Sequence, residues 1–121
     1  MKREIKFRGK RIDNGEWVIG LLVKMWGEWH IIDWNDENIA YPIKTDTVGQ
    51  YTGLKDKNGK EIYEGDILKV DWLGEPSVVK WYKGGYMAYP YRSIGYHLCE
   101  VNGDCKVVGN IHDNPELLKE K

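Results

Sequence analysis

The sequence has no long apolar run, almost no net charge, two cysteines and a single phenylalanine. No run approaches the roughly 20 apolar residues of a membrane-spanning helix, so we expect no membrane association. Met1 is followed by charged residues instead of the apolar core of a signal peptide, which predicts a cytoplasmic protein. The net charge of −1 argues against a protein whose whole surface binds polyanions.

Motifs for catalysis and metal binding are also missing. The chain has no nucleophile motif, no phosphate-binding glycine loop and no dinucleotide fingerprint. The short Cys-Cys and His-His spacings of zinc sites are absent from the candidate ligands His97, Cys99, Cys105 and His112. We therefore expect no metal, no other cofactor and no enzymatic activity.

The two cysteines lie close together in the sequence. Strands predicted at 96–101 and 106–111 are joined by a turn at Asn102-Gly103-Asp104, which places Cys99 and Cys105 across a hairpin from each other. Because the cytoplasm favours reduced thiols, we expect no disulfide between them.

Turns and aromatic residues are what the sequence does contain. Fourteen glycines fit a turn-rich β protein, and six Trp with eight Tyr suggest rings that keep one end in water. In the central stretch Val48–Trp72, two short strands flank an Asn58-Gly59 turn, and a break at Glu64–Asp66 precedes an alternating strand. That last strand, Ile67–Trp72, follows a pattern common in SH3-like sheets.

The residues on either side of this stretch complete an all-β prediction. Alternation over 4–11, 17–23 and 29–34 predicts an antiparallel meander, with Ile5 and Phe7 on one face and the second strand covered on both sides. Asn114-Pro115 predicts a short C-terminal helical turn capped by Asn114. We expect the meander to pack on an SH3-like bent sheet or small barrel. The chain would form one unit of residues 1–121, with a possible division into 1–47 and 48–121.

Three blocks of this sequence resemble the YopX family of bacteriophage and prophage proteins. The central block is QYTGLKDKNGKEIYEGDI at 50–67, the opening block is REIKFR at 3–8, and the closing block is VGNIHDNPELL at 108–118. The blocks bracket the chain, so the resemblance covers nearly its full length. It implies a small β-rich protein encoded in a phage genome, and it implies no catalytic residues.

The basic residues are concentrated at the N-terminus. As a functional feature they would form a phosphate-contacting strip for nucleic acid. We favour the alternative of an edge strand whose cations prevent edge-to-edge pairing, because the rest of the chain adds no matching basic field. The strip consists of Lys2, Arg3, Lys6, Arg8, Lys10 and Arg11.

Two carboxylates, Glu64 and Asp66, share one tight turn. They are the best candidates for acid–base chemistry or cation binding, but an Asp that accepts backbone N–H bonds in its own turn is the favoured interpretation. The Asp56–Gly59 loop lacks the alternating acids of a calcium loop and is interpreted as a turn.

The aromatic residues are candidates for a binding surface, or equally for the filling of a small β core. The partner-binding candidates are Trp26, Trp29, Trp34, Tyr86, Tyr89 and Tyr91. The function we expect is that of a non-enzymatic phage accessory protein that binds an unknown protein or self-associates. The alternatives are a nucleic-acid-binding module that uses the basic strip and an enzyme that uses Glu64 and Asp66.

Overall fold

The computed structural model describes residues 4–90 and 94–118, and within them the fold is all-β, as predicted. The helices in these residues are short, and none of them could span a bilayer. The single α-helix, α1, is Leu98–Val101, and 3-10 turns lie at Thr45–Thr47, Asn102–Asp104 and Pro115–Leu118. The strands are β1 (Phe7–Lys10), β2 (Trp17–Met25), β3 (Glu28–Asp33), β4 (Ala40–Pro42), β5 (Gly49–Lys55), β6 (Glu61–Tyr63), β7 (Asp66–Val70), β8 (Ser77–Tyr82), β9 (Gly85–Pro90), β10 (Tyr96–His97) and β11 (Cys105–Asn110).

The strands form two open antiparallel sheets rather than a closed barrel in the described parts of the chain. One sheet has the order β4-β3-β2-β1-β5-β6 and the other has the order β10-β9-β8-β7-β11. The chain divides into two compact units, Met1–Tyr51 and Thr52–Lys121, so the boundary falls inside β5.

The first unit is the predicted meander with β4 and the first part of β5 added. Its core is Val18, Ile31 and Ile43, against which Phe7 and Leu22 pack. These residues share one face of the sheet because β1 and β2 pair with Phe7 opposite Gly20. The other face of β2 is not covered as expected: Ile19 and Leu21 on that face are exposed.

Gly20 is required by the close approach of a neighbouring strand. A Cβ at this position would lie 1.7 Å from the backbone oxygen of Ile32. The chain can therefore approach the Ile32 backbone this closely only because residue 20 has no side chain.

The second unit has its own core, centred on β7. Alternation predicts a half-buried strand with Leu68, Val70 and Trp72 on one face. Leu68 and Val70 are fully buried, but Trp72 is exposed and Ile67 on the opposite face is fully buried too. The rest of this core is Ile62, Val79, Ala88, Leu98, Val101 and Cys105.

The strand predicted at 96–101 is wrong after its second residue, because the chain turns into α1. The His97 backbone N–H donates to the Glu100 carboxylate over 3.1 Å, which holds the first turn. Leu98 and Val101, three residues apart, both reach the core. A spacing of three suits a helix and would place these two side chains on opposite faces of a strand.

At the C-terminus the helical turn is confirmed as a single 3-10 turn at Pro115–Leu118. The Asn114 side chain accepts a bond from the Asn110 backbone N–H at 3.3 Å. Asn114 directly precedes the turn, as predicted, and its backbone oxygen accepts the Leu117 N–H at 3.1 Å. Its side chain bonds to the preceding strand.

Asp56 closes the turn between β5 and β6 and fastens it to β11. Its buried carboxylate accepts three backbone N–H bonds of 2.9 Å each, from Asn58, Lys60 and Val107. The turn interpretation of this loop is therefore confirmed. Burial raises the pKa of Asp56, but the bonds from Val107, Lys60 and Asn58 outweigh it, and the pKa lies below its ordinary value of 3.8.

We expect Asp56→Ala to destabilise the protein by roughly 3 kcal/mol, because it leaves three partly buried N–H groups without their acceptor. Chemical denaturation monitored by circular dichroism measures this loss. The control is Asp71→Ala, which removes an exposed carboxylate that pairs with Lys57 at 2.6 Å. An exposed pair contributes about 1 kcal/mol or less. Equal losses for the two variants would contradict the role given to Asp56.

The same carboxylate predicts a pH dependence of stability. Because folding lowers the pKa of Asp56, its contribution is fully present above pH 3.8 and is lost as the pH falls through the folded-state pKa. As the pH is lowered below 4, the free energy of unfolding should therefore fall less steeply in Asp56→Ala than in the parent chain. Parallel curves would show that Asp56 is not the group responsible.

Candidate functional site

Trp26 lies at the tip of the β2–β3 hairpin in an unfavourable backbone conformation. The two turn residues are Trp26 and Gly27, with φ of 51° and 80°, and the flanking pair is Met25 opposite Glu28. Two positive φ angles in a two-residue loop define a type I′ turn, whose first position favours Asn, Asp or Gly. A bulky residue there is an outlier. The Trp26 side chain is also 89% exposed, so it gains little from burial.

The Trp26 ring contacts one neighbouring aromatic ring, that of His30. Its ring meets the edge of the His30 ring at a centroid distance of 6.2 Å, and His30 is itself buried. The His30 Nδ1 lies 3.0 Å from the Glu28 backbone oxygen. Trp29 is partly exposed nearby and carries the Lys24 ammonium 5.7 Å from its ring centroid. We call Lys24, Trp26, Trp29 and His30 the hairpin tip.

The second unit contains a cavity of about 310 Å³. Most of its side chains are apolar, and they come from β7, the following loop, β11 and the C-terminal turn. They are Lys69, Leu73, Glu75, Pro76, Val108 and Leu117, with Gly74. Sequence reasoning missed this cavity because its walls lie up to 48 positions apart and share no motif.

The basic strip does not form an edge. β1 pairs with β2 on one side and β5 on the other, so the interpretation of a protected edge strand is wrong. Lys6 is only 6% exposed, whereas Ile5 on the other face is exposed. The Lys6 ammonium lies 5.1 Å from the ring centroids of both Trp34 and Tyr51. Cation–π attraction to two rings, together with the Glu4 carboxylate 3.7 Å from the ammonium, stabilises the buried lysine.

The other described cations of the strip are also engaged. Arg8 and Lys10 lie over the Trp17 ring, at 4.7 and 5.5 Å from its centroid. Arg11 stacks on Tyr41 at 4.0 Å and forms two bonds to the Asp13 carboxylate, at 2.9 and 2.6 Å. The hydrogen bond from Arg11 holds the pKa of Asp13 below its usual value. Lys2 and Arg3 lie outside the described residues.

The remaining aromatic candidates lie in different places. Trp34 is exposed at the end of β3, where it covers Lys6. Tyr86 and Tyr89 belong to β9, and Tyr91 lies outside the described residues. Three further exposed rings were missed: Trp72, Trp81 and Tyr82. The Trp81-Tyr82-Lys83-Gly84 sequence was a usable signal for the last two, because residues beside a tight turn lie far from a sheet's centre.

Glu64 and Asp66 form a structural turn. Asp66 is buried and accepts the Tyr63 backbone N–H at 2.8 Å, as expected for the favoured interpretation. Gly65 has φ of 87° and donates its N–H to the Val79 oxygen at 2.9 Å. The cavity of the second unit has neither carboxylate in its lining.

The four candidate metal ligands differ in their exposure to solvent. His97 and Cys99 are exposed, His112 is half-buried, and Cys105 is buried at the start of β11. Residues 4–90 and 94–118 contain no group of three metal-ligating side chains. Both cysteines are free thiols, and they lie on a helix and a strand rather than across a hairpin.

Cys99 and Cys105 should differ sharply in reactivity. Burial raises the pKa of Cys105 to about 11, and the carboxylates of Asp56, Asp71 and Asp104 add to the effect. Because the thiolate is the nucleophile, Cys105 should resist iodoacetamide at pH 8 while exposed Cys99 reacts. Mass spectrometry should show one adduct on the native chain and two in denaturant. Cys99→Ser should show none in the native state. Equal native rates at both thiols would contradict this environment for Cys105.

Comparisons with known proteins give one family match and a similar solved structure. The sequence model described as YopX protein matches residues 6–119, which confirms the resemblance of the three sequence blocks. The chain is similar to the crystal structure of protein EF1440 from Enterococcus faecalis, with a TM-score of 0.59 and 22% sequence identity. That likeness covers 98% of this chain and 100% of that chain, and it shows the fold alone. No curated protein matches the chain.

Proposed function

The chain belongs to the YopX family, and from that premise we propose that it is a non-enzymatic module that self-associates, with Trp26 as its anchor. The resemblance implies a phage or prophage accessory protein, and we propose that it acts in the cytoplasm of the bacterial host. The exposed Trp26 at positive φ is the observation that carries this proposal.

The backbone conformation of Trp26 lowers the stability of the fold, and burial of its side chain does not offset that loss. A non-glycine residue in the left-handed region costs about 1–2 kcal/mol, and Asn would reduce that cost. The 89% exposed ring recovers almost none of it by burial. Local strain of this kind concentrates at binding sites, and Trp is enriched among residues that dominate binding energy.

We propose another copy of this chain as the partner, because the second unit of each copy carries a cavity that could receive Trp26. Its 310 Å³ lies at the lower end of the roughly 300–1,000 Å³ of ligand pockets, a size that admits an indole ring. Leu73, Pro76, Val108 and Leu117 give it an apolar lining. Insertion of Trp26 from one copy into the cavity of the next is a head-to-tail contact, because knob and cavity are different surfaces. Such contacts grow beyond a dimer unless a ring closes.

The alternative functions have weaker support. The Glu64–Asp66 pair is explained by its turn, in which the Asp66 carboxylate accepts the backbone N–H of Tyr63. Nucleic-acid binding through the basic strip needs accessible cations, whereas Lys6 is buried and Arg11 is bonded to Asp13.

We expect Trp26→Asn to weaken self-association by about 30-fold or more, the effect of losing a hot-spot residue. Sedimentation velocity over a range of concentrations measures it. The matched control is Ile94→Asn, which removes an apolar side chain that is also 89% exposed and should leave association unchanged. Thermal unfolding of Trp26→Asn should show no loss of stability, because Asn suits the type I′ turn.

A complementation experiment tests the head-to-tail geometry. Leu117→Glu places a charge in the cavity and should also abolish association. An equimolar mixture of Trp26→Asn and Leu117→Glu should then form a one-to-one dimer, since one chain retains the knob and the other retains the cavity. A parent chain that stays monomeric at all concentrations, or a mixture that stays monomeric, would overturn the proposal.

A further inference from the structure

The segment from Pro76 to Cys99 contains no acidic residue. The whole chain has 19 Asp and Glu in 121 residues, about one in six, yet these 24 positions carry only the cations Lys80, Lys83 and Arg92. Six of the chain's aromatic residues also lie here. They are Trp81, Tyr82, Tyr86, Tyr89, Tyr91 and Tyr96. Interleaved cations and rings without acids are the composition of single-strand-binding surfaces.

The β8–β9 hairpin sorts the residues of its own two strands onto two faces. Val79 and Ala88 pair on the inner face and are buried in the core of the second unit. Lys80 pairs with Met87 and Tyr82 with Gly85, which places Lys80 and Tyr82 on the outer face.

Val78 pairs with Tyr89, so Tyr89 belongs to the outer face as well. Lys83 follows Tyr82 in the tight turn, and the side chains of Lys80, Tyr82 and Lys83 are exposed. We call Lys80, Tyr82, Lys83 and Tyr89 the outer hairpin face.

The rings of this face are held near their cations. The Tyr82 and Tyr89 rings meet edge-on at a centroid distance of 6.4 Å. The Lys83 ammonium lies 5.2 Å from the Tyr82 centroid, and the Lys80 ammonium lies 6.0 Å from that of Tyr89. Gly95 fits against Tyr89, since a Cβ there would lie 2.6 Å from a ring carbon. The Tyr89 ring thus occupies space that any other residue at position 95 would take.

We propose that the outer hairpin face binds single-stranded nucleic acid. Bases stack on Tyr82 and Tyr89, and Lys80 and Lys83 contact the phosphates. A base offers a π face whatever its identity, so this binding is tolerant of sequence. The short hairpin offers two rings and two lysines, a footprint for a few nucleotides rather than for a duplex. It is independent of Trp26, which lies in the other unit.

The test is fluorescence anisotropy of a labelled mixed-sequence 12-mer of DNA, and of the matching RNA, at low salt and then at rising salt. The logarithm of affinity should fall with that of salt with a slope near −1.4, for two phosphate contacts at about −0.7 each. Lys80→Ala/Lys83→Asn should bring the slope near zero. Asn at position 83 retains a residue suited to its φ of 47°. Tyr82→Leu should lower affinity about tenfold, because stacking contributes roughly a factor of 5–150 per base.

The matched control is Lys44→Ala/Lys55→Ala, which removes the same charge from two other exposed lysines and should leave binding nearly unchanged. Circular dichroism of each variant establishes that it is folded. Absence of binding to both strands at low salt would overturn the proposal, as would equal losses in the site and control variants. Tighter binding to a labelled oligoglutamate peptide of equal charge would also overturn it, because the surface would then recognise an acidic protein.

Discussion

The three backbone N–H bonds to the buried Asp56 carboxylate are the constraint on which the second unit depends. They shape the turn after β5 and fix it to Val107 of β11. β11 pairs with β7, β7 with β8, and β8 with β9, so the turn is continuous through the sheet with the hairpin that carries Tyr82. The cavity between β7 and β11 residues rests on the same pairing. One ionised side chain thereby supports both surfaces that we propose for this unit.

Cations over aromatic rings recur in both units, with different consequences. In the first unit Lys6 is buried, and its ammonium contacts the rings of Trp34 and Tyr51 within the sheet. In the second unit Lys83 lies beside Tyr82 at an exposed turn, where its charge faces solvent. The pairs are chemically alike and differ in burial, which is why we assign a structural role to Lys6 and propose a binding role for Lys83.

Local patterns were enough to predict the fold class, the Asn58-Gly59 turn and the burial of Leu68 and Val70. They failed where tertiary partners decide the outcome. The basic strip was interpreted as a protected edge, but Lys6 is buried by rings from positions 34 and 51. The strand predicted beyond His97 became a helix, because the core accepts Leu98 and Val101 from one helical face. The cavity brings distant segments together, and no local pattern encodes it.

The central claim is that Trp26, exposed at the tip of a hairpin, becomes buried in a second copy. The most direct measurement is fluorine NMR of the chain labelled with 5-fluorotryptophan, which gives one resonance for each of the six tryptophans. The spectrum of Trp26→Asn assigns the Trp26 signal by its absence. We predict that this resonance shifts as protein concentration rises, while those of Trp17, Trp34 and Trp81, which lie outside the hairpin tip and the cavity lining, stay in place. A Trp26 resonance that remains at its dilute position while the chain associates would contradict the account.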